Sequence, residues 1–154
     1  MLVLEVSLAR LLWMLLALES AGWAMQARIE PVELCERSEL VVIGEITSFD
    51  ARWAADNDGA IERVFDLSVE RVLRGPTPQG PVRVIVPGGD LGANLRYIVE
   101  DSPELLVDHR YLLLLAPDAD GWRVVGLQQG AFPLDHAHKG DAALLASLGS
   151  CLAN

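Results

Sequence analysis

Residues 110–134, RYLLLLAPDADGWRVVGLQQGAFPL, constrain the fold more than any other stretch of the chain. Residues 111–115 are apolar in succession, 117–121 are turn-rich, and 122–127 form a second apolar run. Both runs have strand length and the break between them has turn chemistry, so the stretch predicts a buried β-hairpin with Trp122 in the core. Residues of this kind build an interior and supply no catalytic group.

The other segments read as partners for that hairpin. Residues 31–38, PVELCERS, predict a short helix with Pro31 in the first turn, where its missing N–H costs nothing. Its inner edge would be Val32, Leu34 and Cys35. Residues 40–49 are β-branched and predict the first and most central strand, with Gly44 at a bulge or a close backbone approach. Residues 50–60 end in Asp56-Asn57-Asp58-Gly59, a turn signal. From 61 to 73 the pattern has period two, Phe65, Leu67 and Val69 on one face and Asp66, Ser68 and Glu70 on the other. A third strand covers 82–86, with Val82, Val84 and Val86 aligned. Residues 90–109 carry the weakest pattern, with a short edge strand around Tyr97, and long connections of this kind tend to be functional or mobile. Near the end, Asp141 is placed to cap a helix over 142–151, whose Leu144, Leu145 and Leu148 share a face. About five strands with short terminal helices predict a mainly β fold, a small barrel.

A chain of 154 residues, 51% hydrophobic and 22% charged, can bury one core and leaves no room for two ordinary domains. The first 24 residues stand apart. Arg10 precedes the apolar run LLWMLLAL, which is followed by small residues ending at Ala24, the layout of a cleaved export signal. Glu5, Arg10 and Glu19 interrupt the span and leave it too short for a transmembrane anchor. The expectation is export to the periplasm or beyond, with residues 25–154 as a single domain and no stable membrane insertion after cleavage. The whole chain carries a net charge of −10, and loss of Arg10, Glu5 and Glu19 with the leader leaves −9. Such a field repels phosphate backbones, so nucleic acid is an unsuitable partner.

The ordered set LVVIGEI, VERVLRG, VIVPGG, RYLLLL and WRVVGLQQGAF is similar to small secreted bacterial domains that resemble the netrin-like modules, the OB-type barrel also found in tissue inhibitors of metalloproteases. The likeness covers roughly residues 32–134. It implies an OB-like (netrin-like) five-stranded barrel, exported and without known chemistry, some of whose relatives occur beside or fused to extracellular metalloproteases. Two departures stand out. The inhibitors reach a protease zinc with an amino-terminal cysteine, whereas Cys35 lies ten residues inside the expected mature terminus. The relatives tend to carry Gly-Glu-Arg-Tyr where this chain has Asp108-His109-Arg110-Tyr111, so a turn glycine is missing.

Cys35 and Cys151, one near each end, are expected to form a disulfide that ties the two terminal helices together across the barrel, because export permits oxidation and short terminal helices fray when left alone. Two buried free thiols are the alternative. A metal site could be assembled from His136 and His138, alternate residues of an extended segment, with His109 and Asp141 completing the ligands, although two histidines in a polar connector are what a solvated loop also contains. Calcium has two candidate loops, Asp56-Asn57-Asp58-Gly59 and Asp118-Ala119-Asp120-Gly121, and neither is followed by the bidentate Glu of an EF-hand. No Ser-His-acid arrangement or nucleophile elbow is present, and no cofactor motif. Trp53 and Tyr97, placed in loop or edge segments, are candidate anchors of an interface. The expectation is therefore a non-enzymatic exported module that binds a protein, an extracellular protease among the candidates. A metal-dependent periplasmic enzyme built on the histidines, and a passive envelope domain, are the alternatives.

Overall fold

A computed structural model describes residues 27–55, 59–92, 94–134 and 139–153. The expected leader, residues 1–24, lies outside them. The architecture is mainly β. Two long strands, β1 (Leu40–Trp53) and β2 (Ile61–Arg74), form an antiparallel hairpin of 14 residues on each side. β3 (Val82–Pro87) pairs with Glu62 through Leu67 of β2. The hairpin expected from residues 110–134 is present as β6 (Arg110–Asp118) and β7 (Gly121–Val124), closed between Asp118 and Gly121, and β8 (Ala131–Pro133) returns alongside β6. Two short strands, β4 (Gly89–Asp90) and β5 (Arg96–Tyr97), make a separate ribbon in the least patterned part of the chain.

The six long-sheet strands run β1-β2-β3-β7-β6-β8, and β1 also pairs with β6, so the sheet returns on itself. Closure is uneven. β1 and β6 share six register positions from Leu40↔Leu115 to Glu45↔Arg110, while the parallel seam between β3 and β7 has only Val84↔Trp122 and Ile85↔Arg123. β1 is central as expected, since it bonds to β2 on one side and β6 on the other.

Why β1 and β6 begin as unbroken apolar runs follows from the two clusters they separate. Leu40, Val42 and Ile46 with Tyr111, Leu113 and Leu115 face inward, onto Phe65, Leu67, Val82, Val84 and Val86. Val41, Ile43, Leu112 and Leu114 face the other way, onto a second cluster with Leu34, Cys35, Leu134, Leu148 and Cys151. A strand covered on both faces has no position for a polar residue, whereas β2, open to solvent on one face, alternates. Fully burying each such side chain contributes roughly 1.5–3 kcal/mol.

The outer cluster is roofed by three short helices, α1 (Pro31–Glu36), α2 (Lys139–Ser147) and α3 (Gly149–Leu152). Pro31 occupies the first turn of α1, and Leu34 and Cys35 are buried with Val32 packed beside them. The disulfide between Cys35 and Cys151 is formed, with a Cα separation of 6.1 Å, inside the roughly 7 Å limit for an unstrained bridge. It ties α1 to α3, and it lies on the outer face of the barrel wall, not across the barrel. The reason is that β1 and β6 present leucines and β-branched residues outward there, and the terminal helices cover them.

Four further details depart from the sequence reading. β1 continues past Phe49 to Trp53, because Asp50, Ala51 and Arg52 lie in register with Val64, Arg63 and Glu62 and ladder bonds sustain a strand of mixed polarity. The C-terminal helix is two helices, since fully buried Leu148 turns inward just before Gly149, a poor helix former. Asp141 sits inside the first turn of α2 and not at its cap, a position where a carboxylate still favours the helix dipole. Trp122 is partly buried against the inner cluster and not fully enclosed. Gly44 behaves as expected: the register shifts between Ile43 and Gly44, and a Cβ there would collide with the Ser68 carbonyl oxygen. No helix among the described residues is long and apolar enough to cross a membrane.

Candidate binding groove

The β1–β2 hairpin is longer than its neighbours. Pairing of β1 with β6 stops at Glu45, so the far half of the hairpin, up to Trp53 and Ile61, projects beyond the closed part of the barrel. Among the described residues, the connection from Gly88 to Val107 lies against the inner face of that projection. Between the two lies a groove of about 720 Å³.

Arg63 ties one wall of the groove to the other. It lies on the inner face of β2, where its Nε donates to the Gly88 carbonyl at 3.2 Å and its Nη2 donates to Ser102 Oγ and the Pro103 carbonyl, each at 3.2 Å. Ser102 Oγ in turn donates to the Pro87 carbonyl at 2.6 Å. The guanidinium carbon stands 5.7 Å from the Phe65 ring centroid, within range of a cation–π contact. Burial pushes the Arg63 pKa below the usual arginine range, and the nearby Glu104 carboxylate opposes that shift. An arginine placed among carbonyls organises a connection that has few ladder bonds of its own.

Two glycines let the connection approach so closely. Gly88 and Gly89 have φ of +89° and +157°, and a Cβ on Gly89 would stand 3.1 Å from Arg63 Cγ and 3.2 Å from Ile61 Cγ2. Past them, Gly89 pairs with Tyr97, which brings that ring to the groove. At the far end of the connection, buried Leu105 anchors in the inner cluster and the Leu106 N–H donates to the buried Tyr111 hydroxyl at 3.0 Å, leaving the Leu106 side chain turned out.

The result is an apolar rim. Phe49 is 55% exposed, Tyr97 43%, Ile98 75% and Leu106 55%, and all four line the same groove. Phe49 rests on Phe65, ring centroids 5.4 Å apart and planes inclined by 26°. Exposed apolar side chains scattered singly are ordinary, but a contiguous set around a concavity marks an interaction site.

The residues singled out from sequence fall in different places. Tyr97 lines the groove. Trp53, 50% exposed, lies at the end of β1 beyond the groove wall. His109 is exposed, its Nδ1 3.0 Å from the Val107 carbonyl oxygen, and Asp141 is in α2. His136 and His138 lie outside the described residues, as do Asp56, Asn57 and Asp58. Among the described residues no three histidine, cysteine or carboxylate side chains converge as a metal site would need. Asp118 Oδ1 accepts from the Ala119 N–H at 2.6 Å, and Asp120 pairs with Arg52 at 3.0 Å, so both carboxylates of the second calcium candidate serve the turn and its neighbour. Arg52 also pairs with Glu62 at 2.7 Å, and the hydrogen bond to Glu62 is the main reason its pKa is raised. Phe49, Arg63, Ile98 and Leu106 were not singled out from sequence. The signal for Ile98 and Leu106 was the long, weakly patterned stretch 90–109, which retains large apolar residues without strand periodicity; Phe49 and Arg63, inside β1 and β2, had none. The chain matches no protein-family model, and no curated protein is similar to it in sequence.

Proposed function

We propose that this chain is an exported, non-enzymatic binding module whose groove takes an apolar segment of a protein partner. The observation that carries the reading is the set Phe49, Tyr97, Ile98 and Leu106, four large apolar side chains held exposed around one concavity by a rigid support. Apolar and aromatic anchors entering a preformed recess contribute most of the energy in protein interfaces. The barrel is read as OB-type and netrin-like. Support comes from the ring of pairings through β1, β2, β3, β7 and β6 and from the parallel contact between β3 and β7. Through that resemblance an extracellular protease is the first partner class to try. The groove wall carries Arg63, already committed to carbonyls, and Arg96, paired with Asp90. With a net charge of −10 on the whole chain, phosphate-bearing ligands are disfavoured there.

Ile98 and Leu106 are far enough out of the core to be changed without unfolding the barrel. Wild-type protein and an Ile98→Asp/Leu106→Asp variant, immobilised side by side and challenged with the native secreted fraction, distinguish the outcomes. A protein retained by the first and lost from the second is expected. Equal retention on both, or none on the wild type, sinks the reading.

A further inference from the structure

One edge of the projecting hairpin is open. The last bonds between β1 and the β6 arm are Ile46 N–H to the His109 carbonyl at 3.0 Å and Asp108 N–H to the Ile46 carbonyl at 2.8 Å. Beyond them β1 has β2 on one side and, among the described residues, nothing bonded on the other.

Which backbone groups face that open edge is fixed by the hairpin's own bonds. Ala54 N–H donates to the Ala60 carbonyl at 3.0 Å, so Trp53 and Ile61 are a non-hydrogen-bonded pair, and the alternation runs back unbroken to Phe49 and Phe65. Two other bonds agree. The Ile61 carbonyl accepts from Gly88 N–H on the β3 side, and Ala51 N–H, not used in the ladder, is taken by its neighbour Asp50 Oδ1 at 2.9 Å. The N–H and C=O groups of Phe49, Ala51 and Trp53 therefore point away from β2, towards solvent. Unpaired strand edges are templates for another strand.

The five residues along this edge, Phe49-Asp50-Ala51-Arg52-Trp53, are complementary to themselves when reversed. Laid antiparallel with Ala51 opposite Ala51, Phe49 faces Trp53 and Asp50 faces Arg52, each combination occurring twice about a two-fold axis. The parity is also right, because Phe49, Ala51 and Trp53 are the residues whose backbone groups turn to the open edge and they meet only one another. On the inner face the two aromatics are half exposed and the small Ala51 leaves room at the axis. On the outer face Asp50 is exposed. Arg52 uses Nε on Glu62 and Nη2 on Glu62 and Asp120, so donors remain for a second carboxylate.

We propose that two copies of this chain associate through this edge, β1 against β1, in a two-fold dimer with cross-strand Asp50–Arg52 and Phe49–Trp53 pairs. Opposite charges and aromatic pairs directly across an antiparallel ladder are the combinations that stabilise it. The Asp50 carboxylate leaves the Ala51 N–H for Arg52 of the second copy, and the Ala51 N–H gains a carbonyl in exchange. Phe49 belongs to both this edge and the groove rim, so the second copy would border the groove; a measurement of mass alone needs no groove partner.

Sedimentation velocity on the purified, disulfide-bonded protein over a wide concentration range reads the mass directly. The wild type is expected to move towards twice the monomer mass as concentration rises. Asp50→Arg places two arginines opposite each other on both sides of the axis and is expected to weaken association by about tenfold or more. Arg52→Asp does the same with two carboxylates. Mixing the two variants restores both pairs and is expected to restore the dimer. Ala51→Pro removes the N–H at the axis without touching the bonds to β2 and is expected to give a monomer with an unchanged thermal transition. A wild type that stays monomeric throughout, a dimer that Asp50→Arg leaves intact, or a mixture that fails to reassociate overturns the pairing.

Discussion

The backbone N–H of Asp108 donates to the Ile46 carbonyl at 2.8 Å, and Asp108 reaches that bond from a left-handed conformation, φ +64°. Glycine adopts this conformation without strain. Left-handed backbone costs an L-residue about 1 kcal/mol or more, least for Asp and Asn. Asp108→Gly is therefore expected to be at least as stable as the wild type, by up to about 1 kcal/mol, and Asp108→Val to lose about 1–2 kcal/mol. Urea midpoints of the two variants measure this, and a glycine variant clearly less stable than the wild type contradicts it.

The Cys35–Cys151 bridge closes 116 residues of chain and joins α3 to α1 within the outer cluster. Replacing both cysteines by serine is expected to cost about 2–5 kcal/mol. Hydrogen exchange should localise the loss, with amides of α1, α2 and α3 exchanging fastest. Uniform acceleration through β1 and β6 would show that the bridge supports the barrel itself.

Arg63 is the main polar tie between the barrel and residues 88–103. Arg63→Met keeps most of the side chain's apolar volume and removes the bonds to Gly88, Ser102 and Pro103. A loss of about 1–3 kcal/mol is expected, because carbonyls and a hydroxyl are left without their donor. Limited proteolysis should cut the variant within residues 88–103 and spare the wild type. Resistance equal to the wild type would mean that Leu105 and the glycine contacts suffice.

Gly44→Ala tests the close approach of β1 to β2. The added methyl meets the Ser68 backbone, which cannot swing aside as a side chain can. Overpacking of this kind costs about 1–3 kcal/mol. A thermal transition unchanged by the substitution would show that the bulge between Ile43 and Gly44 relaxes freely.

Much of the barrel was legible because burial writes a simple pattern. Phe65, Leu67 and Val69 alternate since β2 has one wet face, and Val82, Val84 and Val86 since β3 turns them inward. The double-sided runs at 40–43 and 111–115 follow from the helices that cover the outer wall. The end of β1 was hidden because Asp50 and Arg52 look like turn residues until Val64 and Glu62 are known to lie opposite. The groove was harder still. Phe49 reads as an ordinary inward strand residue, and only the early stop of β1–β6 pairing at Glu45 leaves it uncovered. Ile98 and Leu106 stand in a connection held by an arginine from a distant strand, a relationship without local periodicity.

β1 has two halves with opposite obligations. From Leu40 to Gly44 it is buried on both faces and every substitution disturbs an interior; from Thr47 onward it is a cantilever, supported at one end and free along one edge. The staple between the chain termini grips the first half and never touches the second. A chain built this way can have the exposed side chains of residues 48–53 and 90–104 rewritten together, acquiring a different surface, while Gly88, Gly89, Leu105 and Val107 keep the connection seated on the barrel.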